Sequence, residues 1–378
     1  MANNNKHTGP NVPALRFPEF SGEWEKMSLQ DCCSDFSYGL NAPAKAYDGV
    51  NKYIRITDID ENTSVYKSDD PVSPDGLLSD EYLVNENDIL FARTGASTGK
   101  TYLYNQNDGR LFYAGFLIKA NVNNNCDPYF IFSQTKTQSY RRWVEIMSTR
   151  SGQPGINSQE YASYPLYVPS KEEQEKIAML LRDLDKRILV QSKIIEEQET
   201  LLKSLRESLL KQCSKSSVSC KIGDILTIRS GKDYQHLENG DIPVYGTGGL
   251  MCHVNNFLHD GESVCIGRKG TINEPLYLNG KFWTVDTLFY THSFKGVLPR
   301  YCYHLFCTID WLTYNEASGV PSLSKSTIEK ISVVIPSIKI QESTVQALDS
   351  VEQKIDIDKN VLLGYQQQKE YLLSRMFI

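Results

Sequence analysis

The stretch ARTGASTGKT, Ala92 to Thr101, carries the residue types of a phosphate-binding loop. Such a loop reads G-x-x-x-x-G-K-[ST], and its run of backbone N–H groups curls around the phosphates. Here Gly95 and Gly99 enclose three residues instead of four, and Thr94 stands where the first glycine belongs. The shortened loop cannot close the same cradle. YGTGGLM at Tyr245 is also glycine-rich, but no amphipathic helix comes after it and no acid stands at the spacing of a nucleotide-binding fold. The six histidines are not grouped with Asp or Glu at ligand spacing, so no metal site is expected. No Ser–His–Asp arrangement can be argued from spacing. The nine cysteines contain no C-x-x-C pair, and an odd count without framework spacing reads as reduced cytoplasmic thiols.

The elements that carry these loops occur twice. SGQPGINSQEYASYPLYVPS from Ser151 matches SGVPSLSKSTIEKISVVIPS from Ser318 at a constant offset of 167, pairing Pro154 with Pro321 and Pro169 with Pro336. A looser match sets DILFARTGA from Asp88 against SVCIGRKGT from Ser263, at an offset of 175. The change of offset means loops of different length in a repeated frame, so the chain reads as a tandem duplication with pseudo-two-fold character. Each copy begins with short alternating apolar runs such as KYIRITDI, DILFAR, SVCIG and LFYTH, punctuated by Gly, Asn and Asp. These predict a mixed, β-rich domain with helical pieces such as YFIFSQTKTQSYRRWVEIM.

Each copy ends in a long heptad helix. The apolar seam of the first runs Ile177, Leu181, Leu184, Ile188, polar Gln191, Ile195, Gln198, Leu202, Leu205 and Leu209. The second runs Thr344, Leu348, Val351, Ile355, polar Asp358, Leu362, Tyr365, Lys369, Leu372 and Met376. Steps of four and three need a partner helix, and the economical partner is the other helix of the same chain, antiparallel. At about 40 residues each helix would be about 60 Å long. The expected class is therefore α+β, with two mixed, β-rich domains separated by two long antiparallel coiled-coil helices. The expected boundaries are an N-terminal tail 1–19, domains at 20–169 and 217–336, and helices at 170–212 and 337–378.

The 378-residue chain is long enough for two or more cores, and its net charge of −6 argues mildly against a nucleic-acid binder. The distribution is uneven. Asp31–Asp88 holds 13 acids and 4 bases, whereas Ile89–Arg150 holds 8 bases and 3 acids. That basic region, Arg93, Lys100, Arg110, Lys119, Lys136, Arg141, Arg142 and Arg150, could face phosphates or form an ordinary solvated surface. The polar start MANNNKHTGP has no signal-peptide character, and no apolar stretch is long enough to span a membrane, so a cytoplasmic location is expected.

Together these segments resemble a known family. PALRFPEFSGEWEKMSL near the start, the R-x-G loops at Arg93 and Arg268, SGQPGINSQEYASYPLYVPSKEEQEKIA with its second copy, and the helix ends LLKQ and SRMF are similar to a specificity subunit of a type I restriction-modification system. The resemblance covers nearly the whole chain, and its helix-entry motif is the most specific part. It implies two target-recognition domains, each reading half of a bipartite double-stranded DNA sequence, with the helices setting their separation. It implies partners as well: two adenine methyltransferase subunits docked on the helices and ATP-driven restriction and translocase subunits. S-adenosylmethionine, ATP and Mg²⁺ would be held by those partners, with no cofactor and no catalysis in this chain. The family favours PPLxEQ before the helix. The first copy has VPSKEEQ and the second IPSIKIQ, where Lys339 and Ile340 replace the acids. An adenine methyltransferase would carry [ND]-P-P-[YFW], and CDPYF at Asp127 has one proline, which reads as a turn starting a helix. Two other classes are set against this reading: a nucleotide-dependent DNA translocase or nuclease, opposed by the altered glycine loop, and a coiled-coil scaffold that binds no DNA.

ARTGASTGKT then reads as a strand end leading into a DNA-contacting loop, because its counterpart GRKGTINEP keeps Arg and Gly but loses G-K-[ST]. Arg93 and Arg268 are the candidates for base reading or phosphate clamping, since a guanidinium can fork guanine O6 and N7 or a phosphate. Alternatively they close salt bridges inside their domains. Thr94, Ser97, Thr98 and Lys100 suit the DNA backbone, with Lys269 and Thr271 as counterparts. Gln153, Asn157, Ser324 and Lys325 offer polar groups from the Gly- and Pro-shaped loops, which could equally be structural turns. Arg55 and Thr57 are expected on an alternating strand, with Tyr245 and Thr247 in a similar position of the second copy.

Overall fold

A computed structural model of the chain describes residues 11–61, 63–149, 155–212 and 217–378. The chain divides into two compact units, one of residues 1–192 and 361–378 and one of residues 193–360. The breaks fall at Ser192/Lys193 and Asn360/Val361, one residue after Gln191 and two after Asp358.

The helices are α1 (Leu29–Cys32), α2 (Pro128–Gln134), α3 (Gln138–Ser148), α4 (Ser158–Ala162), α5 (Lys171–Gln212), α6 (Ile222–Ile225), α7 (Pro299–Phe306), α8 (Lys325–Lys330) and α9 (Ile338–Met376). Both units contain the same antiparallel four-stranded sheet. In unit 1 its order is Cys33–Tyr38, Leu117–Val122, Asp88–Ala92, Thr101–Leu103. In unit 2 it is Thr227–Ser230, Leu288–His292, Ser263–Gly267, Leu276–Leu278. The central strands DILFA and SVCIG do not alternate in burial; every position, Asp88 and Ser263 included, is buried, because both faces of the central strand are covered. Each unit also pairs an early strand with the strand that leads into its long helix: Glu25–Ser28 with Pro165–Val168, and Val218–Lys221 with Ser332–Ile335. The duplication is therefore present in topology as well as in sequence.

In unit 1, Ile177, Leu181, Leu184 and Ile188 of α5 share one core with Leu372, Leu373 and Met376 of α9, together with Trp24, Phe130 and Phe377. Leu362 and Tyr365 pack at its edge, and Lys369 bonds Asp185 at 2.5 Å. In unit 2, Ile195, Leu202, Leu348 and Ile355 are buried and Val351 is half-buried. There Gln198 donates to Asp358 at 2.9 Å, Lys359 meets Glu199 at 2.6 Å, and Arg206 meets Glu352. Going from Gln198 and Glu199 to Arg206 along α5, the partners go back from Asp358 and Lys359 to Glu352 along α9, so within that unit the helices run antiparallel. Asp358 also accepts from Lys354 at 2.7 Å.

Two expectations need correction. The N-terminal tail is, from Asn11 onward, part of unit 1. Leu15 N–H bonds Arg375 O at 2.8 Å, and buried Arg16 forks buried Glu173 at 2.7 and 2.6 Å. Each long helix is shared between the two units. The helical piece after Asp127 is two helices. Thr135 and Thr137 hydroxyls turn back on the carbonyls of Phe132 and Gln134, and Thr137 then caps α3 by accepting from Tyr140 N–H.

Candidate nucleic-acid interface

Strand Asp88–Ala92 delivers Arg93 to the edge of the sheet. Arg93 N–H donates to Phe116 O at 3.1 Å, its carbonyl accepts from Ile156 N–H at 2.9 Å, and Thr94 bridges Gly155. The second copy repeats this set. Arg268 N–H donates to Thr287 O at 2.8 Å, its carbonyl accepts from Leu323 N–H at 2.9 Å, and Lys269 bridges Ser322. The two loop families singled out in the sequence are thus joined, in each unit, by the same three backbone contacts.

The side chains end differently. The Arg93 guanidinium lies 4.8 Å from the Tyr38 ring centroid, and the Tyr38 hydroxyl accepts from Ser158 N–H at 3.2 Å. Arg268 is exposed, 6.0 Å from the Phe289 ring, with Nη1 donating to Asp286 O at 3.3 Å. Among the described residues neither arginine has an acidic partner. A cation left unneutralised beside an aromatic face keeps its fork available for an external acceptor. Lys269 is exposed, and Thr271 is half-buried. Thr271 O lies 2.1 Å from where a Gly267 β-carbon would stand, so glycine is required there for the loop to close.

Several other candidates have structural occupations. Lys100 bonds Glu61 at 2.6 Å, and the Thr98 hydroxyl closes its own turn on Gly95 O at 2.8 Å; Ser97 ends the 3-10 turn of Gly95–Ser97. Beyond Gly99 the chain enters a strand, Thr101–Leu103, where a nucleotide-binding loop would open a helix. Arg55 and Thr57 are not on an alternating strand. The strand ends at Ile54, and Ile56–Asp58 form a 3-10 turn because Asp58 accepts from the Arg55 backbone and holds both arms of its guanidinium at 2.8 Å. Asn157 and Ser324 are helix N-caps, accepting from Glu160 N–H at 2.9 Å and Thr327 N–H at 3.2 Å. Lys325 meets Glu329 one turn on at 3.5 Å. Tyr245 lies on strand Asn239–Gly246, and Thr247 lies at the hairpin tip, its hydroxyl 3.4 Å from where a Gly270 β-carbon would stand. The hairpin tip therefore borders the Arg268 loop. Gln153 lies outside the described residues.

Two members of the basic stretch are spent inside the fold. Lys119 is buried and donates to Glu81 O and Leu83 O, both at 3.0 Å. Lys136 donates to Ser64 at 2.7 Å and Thr101 Oγ1 at 2.6 Å, and burial pushes its pKa well below the ordinary value. Arg110 meets Asp80 at 3.4 Å, whereas Arg141 and Arg142 are exposed on α3.

Sequence reasoning missed Tyr38 and Phe116, which flank Arg93. Beside them lies a concavity of about 280 Å³ walled by Leu40, Tyr53, Arg55, Thr57, Ala114 and Phe116. Arg55 and Thr57 line it together with Phe116, whose carbonyl accepts from Arg93 N–H. Sequence reasoning also missed a cluster in unit 2, where His304, Asp349 and Glu352 converge like metal ligands. Arg206 Nε donates to His304 Nδ1 at 3.2 Å, Arg300 Nε meets Asp349 at 2.7 Å, and both guanidiniums reach Glu352. Two fixed cations already fill the place a metal would take, so the cluster ties α5, α7 and α9 together.

This is a protein of paired, sheet-framed loops with an arginine in each. The family model described as the type I restriction modification DNA specificity domain matches residues 21–200 and again 215–363, and the chain belongs to that family. It is similar to the Escherichia coli type I restriction enzyme EcoprrI specificity subunit, 23% identical over 142 residues, 35% of each protein. It is also similar to the Methanocaldococcus jannaschii type I restriction enzyme MjaVIII specificity subunit, 24% identical over 179 residues, 43% of this chain and 40% of the relative. These alignments span well under half the length of the curated relatives. The fold matches the crystal structure of the type I restriction-modification S subunit from M. genitalium, with a TM-score of 0.69 at 18% identity, over 97% of this chain and 99% of that one. A chain solved in work on complex assembly and conformational transition of the type I R-M system matches with a TM-score of 0.55 at 12% identity, over 93% and 96%. Among the described residues no helix is long and apolar enough to cross a membrane.

Proposed function

We propose that this chain is the DNA-specificity subunit of a type I restriction-modification complex. Unit 1 reads one half of a bipartite duplex sequence and unit 2 reads the other. The observation that carries the reading is the arginine loop built twice on one backbone frame, each arginine without an acidic partner among the described residues. The chain performs no bond-breaking step. Methyl transfer from S-adenosylmethionine to adenine N6 belongs to two methyltransferase subunits, and ATP- and Mg²⁺-dependent cleavage belongs to restriction and translocase subunits.

Arg93→Ala and Arg268→Ala test it, each assembled with the methyltransferase and titrated with duplex DNA at several salt concentrations. Each substitution weakens specific binding by about 1–3 kcal/mol if the lost contact is to a base, Arg93→Ala at one half-site and Arg268→Ala at the other. A contact to phosphate alone would instead weaken all sequences alike and reduce the salt slope by about one. Unchanged affinity and sequence preference in both variants refute the loop assignment.

A further inference from the structure

The frame around the two arginines is the same in both units down to single hydrogen bonds. Gly39 N–H donates to Leu117 O at 3.2 Å, and Gly231 N–H to Leu288 O at 3.1 Å. Leu117 N–H closes its turn on Ala114 O at 2.8 Å, and Leu288 N–H on Val285 O at 3.0 Å. A β-carbon on Gly39 would fall 2.3 Å from Ala114 O, and one on Gly231 would fall 2.0 Å from Val285 O, so both glycines are needed for the same close approach. These bonds place Gly115 opposite Asp286 and Phe116 opposite Thr287.

Inside this constant frame the turn residues diverge in chemistry. In unit 2 the position equivalent to Phe116 is half-buried Thr287, and the exposed residue of the turn is Asp286. In unit 1 the exposed residue is Phe116 itself, 60% exposed at the edge of the apolar concavity, with its carbonyl accepting from Arg93 N–H. A frame held constant while the same position changes from a half-buried threonine to an exposed aromatic ring is what a position that sets sequence requires. In the major groove an electronegative base edge and the apolar thymine 5-methyl can lie on neighbouring pairs, and a phenyl ring suits that methyl.

Building on the DNA-reading role of the Arg93 loop, we propose that Phe116 is a specificity-determining residue that packs on the 5-methyl group of a thymine in the half-site read by unit 1. Phe116 stands next to Arg93, so the thymine lies within a base pair or two of the Arg93 contact. The concavity behind the ring is its apolar backing.

The test uses the full chain assembled with its methyltransferase. Methylated adenines are mapped to define the motif, and the half-site weakened by Arg93→Ala is taken as that of unit 1. Each thymine there is replaced singly by deoxyuridine, which pairs identically but lacks the methyl. One replacement lowers affinity about fourfold, the equivalent of one buried carbon. Phe116→Ala binds the thymine and deoxyuridine duplexes equally, and Phe116→Leu retains part of the difference. A unit 1 half-site without thymine, no deoxyuridine effect, or an effect that persists in Phe116→Ala overturns the proposal. So does a Phe116→Ala variant that fails to assemble with the methyltransferase yet keeps the deoxyuridine effect, since a protein partner would then cover the ring. Failure of DNA reading itself is distinct: the wild type would then prefer its motif no more than a scrambled duplex.

Discussion

Asn157 and Ser324 hold equivalent places in the two copies, and each side chain caps a short helix. Asn157→Ala and Ser324→Ala should therefore each cost about 1 kcal/mol of stability in chemical denaturation. The mapped methylation motif should stay unchanged; an altered motif in either variant would return these residues to the DNA surface. The signal for the cap was present in the sequence, because N-S-Q-E is the pattern of a capping box. Read as a polar loop it looked like DNA contact. The equivalence of Arg93 and Arg268 was legible because Arg and Gly recur in a loop whose other residues changed. Their surroundings were not. Tyr38 and Phe116 reach Arg93 only through pairings across the sheet, and no local pattern in one sequence encodes such partners. Charge alone misled in the same way, since Lys119 and Lys136 turn inward onto carbonyl and hydroxyl oxygens.

At the scale of elements, the long helices were the most legible feature, because a heptad sustained over about ten turns leaves little freedom. The break between α2 and α3 was not legible, since it depends on threonine hydroxyls competing with the helix for its own carbonyls. The joint among α5, α7 and α9 was likewise hidden, as its members are about 45 and 100 residues apart. Buried His304 accepts from Arg206 at Nδ1 and donates through Nε2 to Asp349 at 2.8 Å, so it is neutral there. Burial lowers its pKa below the ordinary 6.5, the bond to Asp349 and the Glu352 charge oppose this, and Arg206 and Arg300 add to it. The Tyr303 ring lies tilted beside that of His304, centroids 5.2 Å apart. A lowered folded-state pKa means that the unfolded chain takes up the proton first as pH falls. This contribution to stability is therefore present above about pH 6.5 and declines below it. His304→Gln, which cannot titrate, should flatten the dependence of stability on pH between about 5 and 7. An unchanged slope would mean that His304 does not titrate with folding.

For the whole molecule, the duplication was readable from the gapless match at the helix entries, and the two family-model matches and the twin sheet topologies agree with it. What could not be read was that the chain before residue 20 is built into unit 1, since Arg16–Glu173 joins segments far apart in sequence. On the proposed function, each unit carries one reader, complete in itself. In unit 2 the span from Val218 to Ile335 is bounded by the two strands that pair with each other, so exchanging it leaves α5 and α9 intact. The decisive measurement replaces residues 218–335 with the corresponding domain of a relative and maps methylated adenines in a host that also expresses the methyltransferase. The predicted result is a motif in which one half changes to that of the donor and the other half is kept. A motif changed in both halves, or in neither, would contradict separate readers.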